Sequence, residues 1–301
     1  MAMTVGDFLV ERLRQWGVHR IFGYPGEGIN GILGALNRAG DHPRLIQPRH
    51  EEMAAMMASG HAKFTGELGV CLATSGAGAI HLLNGLYDAR LDHQPVLAIV
   101  GQTATTAMGA SYMQEVDLTT LLKDVAGEYV QMVLSPEQLP NTVDRAVRIA
   151  LLERTVTCLI VPMDVQDLPA VERPAHETYR TPGSLGVTWP RVLPSNEDLA
   201  RAAAVLNQGQ RVAMLVGQGA RRAADEMVAV AETLGAGVAK ALLGKDVLAD
   251  DLPFVTGAIG LLGDTAQLRP DDGVRHPPHG RHQPAVSPIS PRVGPGPRGA
   301  D

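Results

Sequence analysis

Two adjacent carboxylates, Glu51 and Glu52, lie between a predicted short strand at 44–47 and a predicted helix at 51–64. The helix dipole stabilises acidic side chains in a first turn, so charge compensation is one explanation of the pair. Two neighbouring carboxylates cannot both serve as the cap, however. The one nearer the strand end points to the carboxyl edge of the sheet, where doubly wound proteins bind ligands. Glu51 is therefore the first candidate for chemistry.

Three glycine-rich turns follow predicted strands and precede helices: GYPG at 23–26, TSGAGA at 74–79 and GQGA at 217–220. Such turns let the backbone approach a ligand closely, and a helix N-terminus presents N–H groups to polar atoms. The first two are equally well explained as ordinary turns or as tight strand–helix packing. The third resembles the start of a dinucleotide fingerprint, but Arg222 stands where the third glycine should be.

The elements that would position these residues alternate regularly between strand and helix. Residues 4–16 place their apolar side chains on one helical face, with Thr4 as the N-cap. The segments at 69–75 and 95–101 are continuous apolar runs of the kind found in buried parallel strands. Six strands alternate with helices, including a helix near 78–90, over residues 1–165. This pattern predicts an α/β fold with a doubly wound parallel six-stranded sheet and helices on both faces.

A proline-rich, aperiodic stretch at 166–194 is interpreted as a linker. A second, incomplete α/β domain is predicted at 195–265, with helices near 196–207 and 220–234 and strands near 211–217 and 237–240. Apolar periodicity ends after Thr265, and residues 266–301 are rich in proline, arginine, histidine and glycine. Such a composition predicts disorder.

Bulk composition favours a soluble globular protein, since 45% of the residues are hydrophobic and 19% are charged. The formal charge of −6 gives no basic footprint for nucleic acid. We find no transmembrane run and no signal peptide, so the cytoplasm is the expected compartment. Cys71 and Cys158 lie in apolar strand-like runs and are expected to be reduced core residues, and the ten histidines show no metal-ligand spacing along the chain.

Taken together, the motifs resemble the thiamine-diphosphate-dependent enzymes of the acetolactate synthase and pyruvate oxidase type. The resemblance runs from about Thr4 to Gly263. The segments that carry it are YPG at 24–26, RHEEMAA at 49–55, TSGAGA at 74–79, GLYDARLDHQPVLAIVGQ at 85–102 and QEVD at 114–117. Two positions depart from the family pattern: Ala77 replaces a usual proline, and His81 stands where an asparagine is common.

The resemblance implies decarboxylation or transfer chemistry on a small 2-oxo acid of the pyruvate type, with thiamine diphosphate as coenzyme. In this family a glutamate at the position of Glu51 hydrogen-bonds a ring nitrogen of the coenzyme pyrimidine and favours the imino tautomer. The complete enzymes also use magnesium, some members hold FAD, and the subunits form homodimers or homotetramers. The implied coenzyme-binding residues are Pro25, Gly26, Glu51, Thr74, Gly76, Gly78 and Gln114, of which Glu51 is catalytic.

No Gly-Asp-Gly sequence, the motif with which the family's third domain binds the metal and diphosphate, occurs in the chain. We therefore expect no metal ligands here, an incomplete site, and no decarboxylation by the chain on its own. When residues 266–301 are back-translated and read one nucleotide later, family-like segments result, which suggests a frameshift near Thr265. Two other functions stay open: a catalytically silent fragment or binding module of the same ancestry, and a nicotinamide-dependent dehydrogenase using the turn at 217–220.

Overall fold

A computed structural model describes residues 2–40, 42–171, 184–189 and 192–260. The chain divides into two compact units, residues 1–190 and 191–301. About half of the expected linker and all of the expected disordered tail lie outside the described residues. The domain boundaries given above therefore stay predictions.

The first unit is built on one six-stranded parallel sheet in the order β2-β1-β3-β4-β6-β5. Its strands are β1 Arg20–Gly23, β2 Arg44–Ile46, β3 Gly69–Ala73, β4 Val96–Gln102, β5 Val130–Met132 and β6 Val156–Pro162. Its helices are α1 Val5–Gln15, α2 Asn30–Arg38, α3 Glu51–Thr65, α4 Ala77–His81, α5 Leu83–Leu91, α6 Leu118–Leu122, α7 Leu139–Glu153 and α8 Met163–Gln166. The predicted doubly wound α/β fold is confirmed.

The two faces of this sheet carry separate apolar clusters. One contains the inward residues of α1, α2 and α7, and the other those of α3, α5 and α6. Every residue of β3, β4 and β6 is buried, which explains their continuous apolar sequences, because helices cover both faces. Cys71 and Cys158 are free and buried within these strands, as expected, and desolvation raises the pKa of the Cys71 thiol to about 12.

Helix α1 is fixed at its start and along its length. The Thr4 hydroxyl accepts a hydrogen bond from the Asp7 N–H, and the Asp7 carboxylate accepts one from the Thr4 N–H, so the predicted N-cap is confirmed as a capping box. Asp144 of α7 accepts hydrogen bonds from Arg12 Nε at 2.8 Å and from Trp16 Nε1 at 2.8 Å. Since Asp144 is only 1% exposed, these donors tie α1 to α7 in a desolvated setting.

The predicted helix at 78–90 is two helices, α4 and α5, which meet at Leu82. The helices α6 and α8 were not predicted, because segments of five and four residues are too short to show a helical period. Other ends differ by a few residues, as is usual at helix and strand termini.

The second unit contains α9 Asn196–Asn207, β7 Ala213–Val216, α10 Ala224–Leu234, β8 Gly237–Lys240 and β9 Val255–Ala258. Its three strands form a parallel sheet in the order β7-β8-β9. The bounds predicted for α9 and β8 are those observed, whereas β9 was not predicted. In the parts of the chain that the structure describes, no helix is long and apolar enough to cross a membrane.

Candidate functional site

The strand order of the first unit creates a crevice at the carboxyl edge of its sheet. The chain moves from β1 outward to β2 on one side, and then to β3 and β4 on the other. The connections that follow β1 and β3 therefore run to opposite sides of the sheet, and the two loops begin next to each other. In open α/β sheets this switch point is where ligands bind.

The loops after β1 and β3 contact each other through glycine and threonine. The Gly28 N–H donates a hydrogen bond to Thr74 Oγ1 at 2.9 Å. A Cβ added at Gly26 would lie 2.5 Å from the Thr74 Cβ, which no real Cβ tolerates. Gly26 is therefore required for close approach of the two loops.

Glu51 is the first residue of α3, directly after the N-cap His50. It is only 8% exposed, an unusual degree of burial for a carboxylate. The backbone dipoles of α3 favour its negative charge at this end of the helix. The loop after β2 thus brings a largely desolvated carboxylate to the same edge as the two glycine-rich loops.

Gly78 lies closely packed between Glu51 and Thr74. A Cβ at Gly78 would lie 3.4 Å from Glu51 Oε1 and 2.7 Å from Thr74 Cγ2. A side chain at position 78 would therefore collide with Thr74. Glycine is required here, and it places no Cβ against Glu51 Oε1.

The other carboxylate oxygen of Glu51 faces two histidines. His81 Nδ1 lies 3.0 Å from Glu51 Oε2, and His50 Nε2 lies 4.0 Å from the same oxygen. The two imidazole rings are 4.4 Å apart between centroids. The Glu51 carboxylate is therefore anchored on one oxygen by His81, while its other oxygen faces Gly78.

Helix α5, which follows directly after the helix that ends at His81, packs closely against α3. A Cβ at Gly85 would lie 2.5 Å from the Met56 backbone nitrogen and 2.6 Å from the Ala55 Cβ, so the two helices cross at close range. Asn84 also donates a hydrogen bond to the Glu52 carboxylate. Glu52, the second residue of the acidic pair, therefore joins the helices instead of lining the crevice.

Gln114 lies on a long loop that approaches the turn after β3. The φ of Gln114 is 63°. A Cβ added at Gly76 would lie 2.8 Å from the Gln114 Cβ. The Ser75 hydroxyl lies 3.4 Å from Gln114 Oε1. Gln114 is exposed, as is Pro25 beside Gly26 at the end of β1.

The structure thus brings Gly26, Thr74, Gly78 and Glu51 into one continuous arrangement, with Gly76 and Gln114 at its side. Sequence reasoning did not find the two histidines around Glu51. His81 is 30 residues from Glu51, a separation that no local ligand pattern reveals. The only signal was the presence of histidine where the related enzymes commonly carry asparagine.

The turn at 217–220 in the second unit lacks the layout of a dinucleotide site. Residues Gln218–Ala220 form a short 3-10 turn, and α10 begins only at Ala224. The strand therefore does not lead directly into a helix N-terminus, as a dinucleotide fingerprint requires.

The fold and this arrangement define a doubly wound α/β protein with a buried carboxylate beside a glycine-lined crevice. Two family models match the chain: the thiamine pyrophosphate enzyme N-terminal TPP-binding domain over residues 3–121, and the central domain of the same enzymes over residues 199–269. The chain therefore belongs to the thiamine pyrophosphate enzyme family. The turn at 217–220 accordingly belongs to this central domain, not to a dehydrogenase.

Individual relatives agree with the family models. The chain is 37% identical over 264 residues to the putative thiamine pyrophosphate-containing protein YdaP of Bacillus subtilis, covering 86% of this chain and 44% of that protein. It is 36% identical to the pyruvate oxidase of Lactiplantibacillus plantarum, over 85% of this chain and 42% of the relative. It is 34% identical to the acetolactate synthase isozyme 2 large subunit of Escherichia coli, over 88% and 46%. The chain spans less than half the length of each of these three relatives.

The residues at the crevice fit the pyrimidine part of thiamine diphosphate. Because position 78 is a glycine, no Cβ stands against Glu51 Oε1, which is an acceptor oxygen. Glu51 supplies that acceptor from a largely desolvated position, where a hydrogen bond to a ring nitrogen is strong.

Proposed function

We propose that the first unit binds the pyrimidine ring of thiamine diphosphate and that Glu51 activates the coenzyme for reactions of small 2-oxo acids. The observation that carries the proposal is the position of the largely buried Glu51 carboxylate at the switch point, with Oε1 beside Gly78 and Oε2 held by His81. The relatives named as pyruvate oxidase and acetolactate synthase support the substrate class.

Each residue of the arrangement has a separate task in this proposal. Glu51 holds a proton at a ring nitrogen of the pyrimidine and so controls the tautomer of the ring. Gly26 and Gly78 let the loops after β1 and β3 pack closely beside Glu51, and Thr74 spaces these two loops. Pro25 and Gly76 line the same pocket, and Gln114 lies toward the reacting end of the coenzyme.

When bound, thiamine diphosphate supplies a carbanion-forming thiazolium ring that accepts the electron pair released by decarboxylation. The chain's own contribution is to orient the pyrimidine, to exclude water from Glu51 and to hold the proton. Desolvation strengthens the hydrogen bond between the carboxylate and the ring. A carboxamide at position 51 would keep the shape but could not accept the proton.

Three wider features of the protein belong to the same proposal. We propose that the complete protein holds the coenzyme diphosphate through magnesium and works as a homodimer or homotetramer in the cytoplasm. FAD binding is a further option that the resemblance to pyruvate oxidases leaves open. A catalytically silent binding module of the same ancestry is the second candidate function.

The test is exchange of the thiazolium C2 proton of thiamine diphosphate into deuterated water, followed by proton NMR with the purified chain, magnesium and excess coenzyme. We expect the chain to accelerate exchange, and Glu51→Gln to slow it by about 10²-fold or more, the usual contribution of a general acid–base group. The matched control is Glu52→Gln, which makes the same change one residue away and keeps an acceptor for Asn84.

Three results would contradict the proposal. Equal exchange rates for the wild type and Glu51→Gln would remove the role given to Glu51. Saturation transfer to the pyrimidine protons without any acceleration of exchange would favour the silent binding module. Equal losses in Glu51→Gln and Glu52→Gln would mean that the helix start, and not one carboxylate, is what matters.

A further inference from the structure

The cluster around Glu51 has a second property that coenzyme activation does not use. His50, Glu51 and His81 each offer one ligand atom, and the three atoms lie within 4.8 Å of one another. We propose that these residues form a binding site for a transition-metal cation of the Zn²⁺ class, and that an ion there blocks the coenzyme site.

The distances suit such an ion after small movements. Tetrahedral zinc with bonds of about 2.0–2.1 Å places its ligand atoms roughly 3.4 Å apart. Glu51 Oε2 lies 3.0 Å from His81 Nδ1 and 4.0 Å from His50 Nε2. Side-chain rotations that move each ligand atom by about 1 Å are therefore enough to form the site.

The ligand types select the class of metal. Two imidazole nitrogens and one carboxylate oxygen suit zinc, cobalt, nickel or copper, whereas magnesium and calcium prefer ligand sets made of oxygen. Three protein ligands leave a fourth position for water or for a group of a small molecule. The site is thus distinct in chemistry from the magnesium expected near the coenzyme diphosphate.

Protons occupy the positions that the metal would take. The His50 Nδ1 accepts a hydrogen bond from the Glu52 N–H at 3.3 Å, so the proton of the neutral ring is on Nε2, which faces Glu51. The hydrogen bond between His81 Nδ1 and Glu51 Oε2 also requires a proton on one of these atoms. Metal binding replaces these protons.

Access and rigidity both favour the site. The side chains of His50 and His81 are 46% and 42% exposed, whereas that of Glu51 is 11% exposed. An ion can therefore enter from the histidine side and reach a carboxylate that is already in place. His81 ends α4, which leads directly into α5, and the close crossing of α5 and α3 at Gly85 restrains the backbones on both sides of the cluster.

Competition with the coenzyme follows if Glu51 binds the pyrimidine, and this step rests on the proposed function. A metal on Oε2 draws the carboxylate charge away from Oε1 and so weakens Oε1 as an acceptor for the ring. A pyrimidine ring on Oε1 likewise restricts the rotation that the metal requires. The two ligands should therefore exclude each other.

The experiment is calorimetric titration of the metal-free, untagged full chain with zinc chloride, and in parallel with magnesium chloride. We expect one zinc ion per chain, no comparable binding of magnesium, and a loss of at least about 10-fold in zinc affinity in His81→Asn, since disturbing even a supporting residue of a metal site costs this much. The matched control is His93→Asn, because His93 is exposed, outside the cluster, and at a φ of 53° that asparagine accepts well.

A second readout separates the two proposals. Thiamine is titrated into the zinc-loaded chain in place of its diphosphate, since phosphates themselves bind divalent cations. Equal zinc affinity in His81→Asn and His93→Asn, or equal binding of magnesium and zinc, would overturn the metal site. Zinc binding that depends on His81 but leaves thiamine binding unchanged would overturn the competition and the assignment of Glu51 to the pyrimidine, while the metal site would stand.

Discussion

Gly85→Ala tests whether the close crossing of α3 and α5 sets the geometry around Glu51. The added Cβ would stand 2.5 Å from the Met56 backbone nitrogen and 2.6 Å from the Ala55 Cβ. Neither atom belongs to a flexible side chain end, so the helices must separate. Overpacking of this kind costs about 1–3 kcal/mol.

Helix propensity acts in the opposite direction, because alanine is better than glycine in a helix interior by about 1 kcal/mol. The expected net loss of stability is roughly 1–2 kcal/mol if the overpacking lies in the upper half of its range. For a unit of this size, each kcal/mol lowers Tm by about 2–4 °C. We therefore expect Tm to fall by roughly 2–8 °C.

Gly60→Ala in α3 is the matched control, because a Cβ at Gly60 would meet nothing within 4 Å. The same substitution there should raise stability by up to about 1 kcal/mol. Urea unfolding and thermal melts of both variants measure the difference, and zinc titration of Gly85→Ala should show weaker binding, because His81 moves away from Glu51. Equal stabilities of the two variants would refute the role given to the crossing.

Three further predictions concern the first unit. Asp144→Ala should cost about 3 kcal/mol by urea unfolding, because it removes the buried carboxylate that accepts hydrogen bonds from Arg12 and Trp16, whereas Glu11→Ala should change stability by less than about 1 kcal/mol. Burial raises the pKa of Asp88, but hydrogen bonds led by that from Lys63 outweigh burial and hold it below its usual value. Ionised Asp88 stabilises the fold at pH values above the usual aspartate pKa of about 3.9, and this contribution is lost as the pH falls through the lowered pKa. Lys63→Met should therefore lose less stability on acidification, measured as the change in the denaturant midpoint of unfolding with pH. Both buried cysteines should react with thiol reagents only on unfolding, and rapid labelling of the native chain would contradict their placement.

Most of the fold could be predicted from the sequence because its long elements carry clear signals. The amphipathic period of α1 and the unbroken apolar runs of β3 and β4 indicated a helix and two buried strands. The short α6 and α8 could not be found, since a helix of one turn has no period to detect. Strand β9 includes Gly257, at a φ of 109°, and such a residue reads as a break.

The candidate site was only partly predictable, for a physical reason. Glu51 was found because its place between a strand and a helix start follows from local sequence. The position of His81 depends instead on how closely α5 packs on α3, which Gly85 determines through contacts distant along the chain. Such contacts leave no mark on periodicity. Only the structure shows that one Glu51 oxygen contacts His81 and that the other faces Gly78.

The internal position of β6 has a consequence for synthesis of the chain. Strand β6 lies between β4 and β5 and pairs with all seven residues of β4. While the chain leaves the ribosome, β4 therefore presents an apolar, unpaired edge until residue 162 has emerged, although every residue proposed to bind the coenzyme is already made. Unpaired edges of this kind recruit other strands. We therefore expect chaperones, or a change in the rate at which residues 103–155 are translated, to affect the solubility of the chain most before β6 has emerged.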